Sequence, residues 1–98
     1  MKEKSGCQQI AEERTKQINK YGYTPEHDSA YKSSQLLFGA LAYLNAAIYG
    51  KSVGAEDWPF DMKYFKGGTD FAGDLATAGA FIAAELDRLN YEKEHNDK

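Results

Sequence analysis

The stretch Trp58-Pro59-Phe60-Asp61-Met62-Lys63-Tyr64-Phe65-Lys66-Gly67-Gly68-Thr69-Asp70 stands between two long runs of helical periodicity. Its reading decides the fold. Proline and the Gly-Gly pair argue against regular structure, so it reads as a connection. With no credible strand elsewhere, the chain is expected to be all-α. Connections usually run over the surface and carry polar residues, yet this one holds Trp58, Phe60, Tyr64 and Phe65. Such rings either fold back as a lid on the helices or offer themselves to a ligand or partner.

Downstream, Gly68 or Thr69 is expected to start the third helix, with Asp70 in its first turn. Phe71, Leu75, Ala78, Ile82, Leu86 and Leu89 fall on one stripe, while Ala72, Ala76, Gly79, Ala80, Ala83 and Ala84 make much of the rest small. Small residues let another helix approach closely, and glycine costs about 1 kcal/mol against alanine inside a helix, so close contact is expected at Gly79. Beyond Leu89 the polar tail is expected to fray, with residues 91–98 flexible.

Upstream, Lys51 to Gly68 shows no convincing period. A structureless connection of this length is uncommon in a compact domain and tends to be functional; a short helical turn around Asp61 to Phe65 would relieve it. Before it, Leu36, Leu37, Ala40, Leu41, Leu44, Ala47 and Ile48 mark a helix from about Ser29 to Tyr49, closed by Gly50. Thr24 and Pro25 read as the cap and first turn of this second helix or of a short turn before it. The first helix runs from about Gly6 to Tyr21, opened by a capping box of Ser5 and Gln8 and stopped by Gly22. A single domain over 1–98 follows: a three-helix, bundle-like fold with a long aromatic loop between helices two and three.

Composition narrows the function classes. A net charge of −3 over 98 residues offers no general grip on nucleic acid. The N-terminus lacks the apolar core of a signal peptide, and no apolar run approaches the roughly 20 residues of a membrane span, so a soluble, cytoplasmic protein is expected. The lone Cys7 has no disulfide partner and no evident role. The alanine-rich face of the third helix and the loop aromatics exceed one small core, so a homo-oligomer is expected, with the third helix as its interface.

Three sets of residues carry possible chemistry. Glu13, Arg14 and Gln17 on the first helix join Glu26-His27-Asp28, which suits acid–base or cation chemistry. Consecutive helical residues point in different directions, however, and an N-terminal cap cluster is the simpler account. Asp70 and Asp74 share a face of the third helix. Asp74 lies beside the apolar stripe, where a buried acid demands a partner, and Arg14 with its planar fork is the expected one. Gly67-Gly68-Thr69 with Lys63 and Lys66 hints at phosphate binding, but the P-loop spacing is absent and a chain turn explains the glycines. Trp58 and Tyr64 remain as stacking residues beside Lys63 and Lys66. No nucleophile–base pair stands out, and neither a catalytic set, a metal site nor a cofactor is expected.

The segments Ile10-x-x-Glu13-Arg14-x-x-Gln17, Tyr23-Thr24-Pro25-Glu26-His27-Asp28, Trp58-Pro59-Phe60 and Asp74-Leu75-x-x-Ala78-Gly79-Ala80-x-Ile82-x-Ala84-Glu85-x-x-Arg88-Leu89 together resemble a family of short proteins found in phages and prophages. The resemblance implies a phage context more than a mechanism. By analogy of class, it suggests a small accessory protein that binds and sequesters a nucleotide-like ligand, as anti-defence sponges for immune-signalling nucleotides do. Arg14, Gln17, Tyr23, His27, Asp28 and Asp74 would line its polar part, and Trp58, Lys63, Tyr64 and Lys66 would stack and meet phosphate. Mg²⁺-dependent nucleotide hydrolysis is the second reading and a protein-binding adaptor the third. Mg²⁺-dependent nucleoside triphosphate pyrophosphohydrolases of the MazG type need an E-x-x-E pair and an E-x-x-D pair. Here Thr15 and Lys16 stand three residues beyond Glu12 and Glu13, and Glu85-Leu86-Asp87-Arg88 lacks the second pair.

Overall fold

A computed structural model describes residues 3–22 and 33–96. Helix α1, Gly6–Tyr21, starts as its sequence dictates. Ser5 accepts from the Gln8 amide while the Gln8 side chain reaches back to Ser5, and Gly22 closes the helix in the left-handed region at φ 73°. Helix α2, Ser33–Tyr49, ends at Gly50. Any start of this helix between 29 and 32 lies outside the described residues, as do Tyr23, Thr24, Pro25, Glu26, His27 and Asp28.

The connection is shorter than its composition suggests. Lys51–Ala55 forms a short helix, α3, and Met62–Tyr64 a single 3-10 turn capped by the Asp61 carboxylate on the Lys63 amide. Gly54 hides α3 from a propensity reading, yet the fold requires glycine there: a Cβ would overlap the Ala42 carbonyl oxygen and the Ala46 backbone. Helix α4, Phe71–Asn96, begins after Asp70 and runs well beyond Leu89. Pairs one turn apart carry its end, with Arg88 on Glu92 at 2.6 Å and the Tyr91 and His95 rings stacked at 4.0 Å. Among the described residues there is no strand, so the all-α class holds.

Helix α4 is the axis of the fold, packed on α2 along one side and α1 along another. Helix α2 runs against it: Gly39 meets Phe81, while Lys51, just past α2, touches Gly68, just before α4. Helix α1 runs with it, Ile10 resting on Gly79 and Arg14 reaching Asp87. A Cβ on Gly79 would stand 2.7 Å from Ile10 Cδ1, the close contact expected of that glycine.

The core faces the opposite way from the one the apolar stripe of α4 implies. Ala78, Ala80, Phe81 and Ala84 are buried, together with Asp74, Glu85 and Arg88, whereas Phe71, Leu75, Ile82, Leu86 and Leu89 are 42–64% exposed. The reason is volume. Tyr43, Trp58, Phe65 and Phe81 fill one aromatic cluster with Leu36, Ala40 and Ala46, and such rings need small residues opposite them to reach close packing. Trp58 and Phe65 seat on Tyr43 of α2 and, through Trp58, on Phe81 of α4.

No described helix is long and apolar enough to cross a membrane.

Candidate functional site

The connection is pinned in place by three polar ties. The Tyr43 hydroxyl accepts from the Lys66 amide at 3.0 Å. Trp58 Nε1 donates to the Asp61 carbonyl at 2.9 Å, and Asn45 Nδ2 donates to the Asp57 carboxylate at 2.7 Å. A fourth tie joins it to α4: the Gly68 amide donates to Asp74 Oδ2 at 2.9 Å. Gly68 has φ 93° and stands so close to the Lys51 backbone that only glycine fits. Asp74, 3% exposed, is therefore held by this turn and not by Arg14, as its position in the sequence implied. Arg14 instead spans from α1 to α4, Nε donating to Asp87 Oδ2 at 2.9 Å.

Between α1, the connection and α4 lies a cavity of about 220 Å³. Glu13, Lys16 and Gln17 form one wall; Tyr43, Trp58 and Phe81 supply aromatic surface; Tyr64, Lys66 and Asp70 come from the connection; Gly73, Asp74 and Thr77 close the α4 side. Of the residues named from sequence, Glu13, Gln17, Trp58, Tyr64, Lys66, Asp70 and Asp74 meet here. Lys63 does not: it stands outside, its ammonium 5.0 Å over the Tyr64 ring. Arg14 is buried behind Gln17, whose Oε1 accepts from Arg14 Nη1 at 3.3 Å. Tyr23, His27 and Asp28 lie outside the described residues. Trp58 borders the cavity but is only 9% exposed and packed edge-on against Tyr43, Phe60 and Phe81, so it offers an edge and not a free face. Tyr64, half-exposed, has a face to offer.

Lys16, Tyr43, Gly73, Thr77 and Phe81 were not legible as cavity residues. A signal for part of the set exists in hindsight: Asp70, Gly73, Asp74, Thr77 and Phe81 recur at three- and four-residue steps, one stripe along the start of α4.

The polar chemistry of the cavity is mixed. Glu13 pairs with Lys16 at 2.9 Å, and Asp74 accepts from the chain turn. Gln17 is 4% exposed, and its Nε2 has no hydrogen-bond partner among the described residues. An enclosed amide left so costs about 1–3 kcal/mol, a cost that an acceptor arriving from outside would offset. Among the described residues, no three His, Cys, Asp or Glu side chains are grouped to hold a metal ion.

Further along α4, Arg88 is buried and grips Glu85 through two bonds of 2.6 and 3.1 Å. Donating to the Glu85 carboxylate raises the pKa of the guanidinium above its ordinary value, against the lowering effect of burial. These charges hold the helix and do not line the cavity.

No family model matches this chain, and no curated protein or solved structure matches it.

Proposed function

We propose that the cavity binds a small nucleotide-like ligand and holds it without turning it over, in a homo-oligomer that acts by sequestration. The observation that carries this reading is the convergence of an aromatic wall, a half-exposed tyrosine, a lysine and an enclosed amide, whose Nε2 has no hydrogen-bond partner among the described residues, on one cavity of about 220 Å³. That volume is below the range of pockets that engulf a drug-sized ligand, so a base enters and the rest of the molecule stays at the mouth. Tyr64 stacks on it, Gln17 Nε2 donates to a ring acceptor, and the carboxylates of Glu13 and Asp70 accept from exocyclic N–H groups. Lys66, exposed at the rim, meets phosphate. A phage anti-defence sponge for signalling nucleotides is the biological setting that the sequence resemblance suggests.

Thermal-shift screening against cyclic di- and trinucleotides and ADP-ribose derivatives tests it. Stabilisation by at least one, lost in Tyr64→Ala, is the expected result; no shift with any of them ends the reading. Chelator-sensitive turnover of a deoxynucleoside triphosphate would replace it with hydrolysis.

A further inference from the structure

We propose that α4 is a self-association surface, on which a second copy of this chain packs antiparallel through Phe71, Leu75, Ile82, Leu86 and Leu89. The proposal is independent of what the cavity binds.

All five side chains are on the outside of the fold, 42–64% exposed. They lie along one stripe that Gly79 and the alanines of α4 leave between α1 and α2, and none of the five is charged. Isolated exposed leucines are ordinary, but five large apolar residues on one face over some five turns are not. Half-exposed side chains of this size leave roughly 500 Å² of apolar surface per copy, at the upper end for a monomer's largest patch. Two such faces bury about 1,000 Å² together, the threshold of a specific interface.

The occupant follows from the pattern. The stripe is close to palindromic about Ala80: Phe71 answers Leu89, and Leu75 answers Leu86. A twofold axis at that level opposes large residues to large residues towards the two ends of the seam, and sets Ile82 of each copy opposite the small residues Ala78 and Gly79 of the other. Beside Leu75 a groove of about 270 Å³, lined by Ile10, Ala72 and Ala76, opens between α1 and α4. In the antiparallel arrangement Leu86 of the second copy lies against it. Charge selects the same direction. Lys93 continues the stripe, so a parallel pair would set the two lysines side by side, whereas the antiparallel pair separates them and aligns the helix dipoles favourably.

Sedimentation equilibrium on the full chain tests this, with circular dichroism as the check that each variant folds. The wild type is expected at twice the mass of the 10.9 kDa chain. Leu75→Glu and Leu86→Lys each reduce it to the single-chain mass, and so does Ile82→Glu. Combining Leu75→Glu with Leu86→Lys in one chain restores the dimer, because each glutamate then faces the lysine of the other copy. Leu37→Lys on α2 leaves the mass unchanged. A monomeric wild type at high concentration overturns the proposal, as does a dimer that survives Ile82→Glu or is lost only in Leu37→Lys. A combined variant that stays monomeric overturns the antiparallel register.

Discussion

Arg88 and Glu85 show what single residues contribute. Both are buried, and they are joined by two short bonds within one helix. Glu85→Ala removes two of the bonds on this buried guanidinium and leaves it with Glu92, so a loss of about 3 kcal/mol, the lower end of the cost of breaking a buried pair, is expected in urea unfolding. The pair is insensitive to ordinary alkali. Arg88 has a folded pKa raised above its unfolded one, so its contribution is complete at every pH below the unfolded value and is lost only as pH climbs through the higher folded one. Asp74 carries a second test. Asp74→Ala leaves the Gly68 amide without its carboxylate, and a loss of about 1–3 kcal/mol is expected. At this scale the sequence was informative about which residues are special and poor about their partners. Glu13, Gln17 and Asp74 stood out, but a buried aspartate announces only that it has a partner. That the partner is a backbone amide in a Gly-Gly turn depends on the turn's conformation, which no residue type encodes.

Elements are legible where their signals are local. The bounds of α1 follow from the Ser5–Gln8 box and Gly22, and Ser5→Ala is expected to cost about 1 kcal/mol in thermal unfolding. Helix α3 is illegible for the opposite reason. Its glycine argues against helix in isolation, and only the approach of Ala42 and Ala46 explains it. Gly54→Ala forces an overlap with backbone that cannot yield, so despite alanine's higher helix propensity it is expected to destabilise by about 1–3 kcal/mol. A neutral or stabilising effect in denaturant unfolding would mean that α2 and α3 can separate. The far end of α4 reads as tail because its residues are polar, yet Arg88–Glu92 and Tyr91–His95 are pairs that polar helices use.

Across the whole molecule, the side of α4 that faces the core reversed the simplest expectation. Periodicity places large apolar residues on one stripe and alanines elsewhere, and the usual inference buries the stripe. Here the aromatic connection brings the bulk, the alanines receive it, and the leucines are left outside. The same inversion sets the cavity beside the ring cluster and puts the apolar seam on a different face of α4. The all-α class followed from the absence of strand patterns. Which face points inward did not, because it depends on where the long-range partner of each helix sits.

Trp58 is the only tryptophan in the chain, and it borders the cavity. Its fluorescence is therefore a local probe of occupancy. Titrating the protein with cyclic dinucleotides and ADP-ribose derivatives is expected to give a saturable change in Trp58 emission, weakened about 10–100-fold in Tyr64→Ala if one base stacks on that ring. An emission spectrum that no nucleotide alters, in protein whose thermal stability is equally unmoved, would contradict ligand binding at this site.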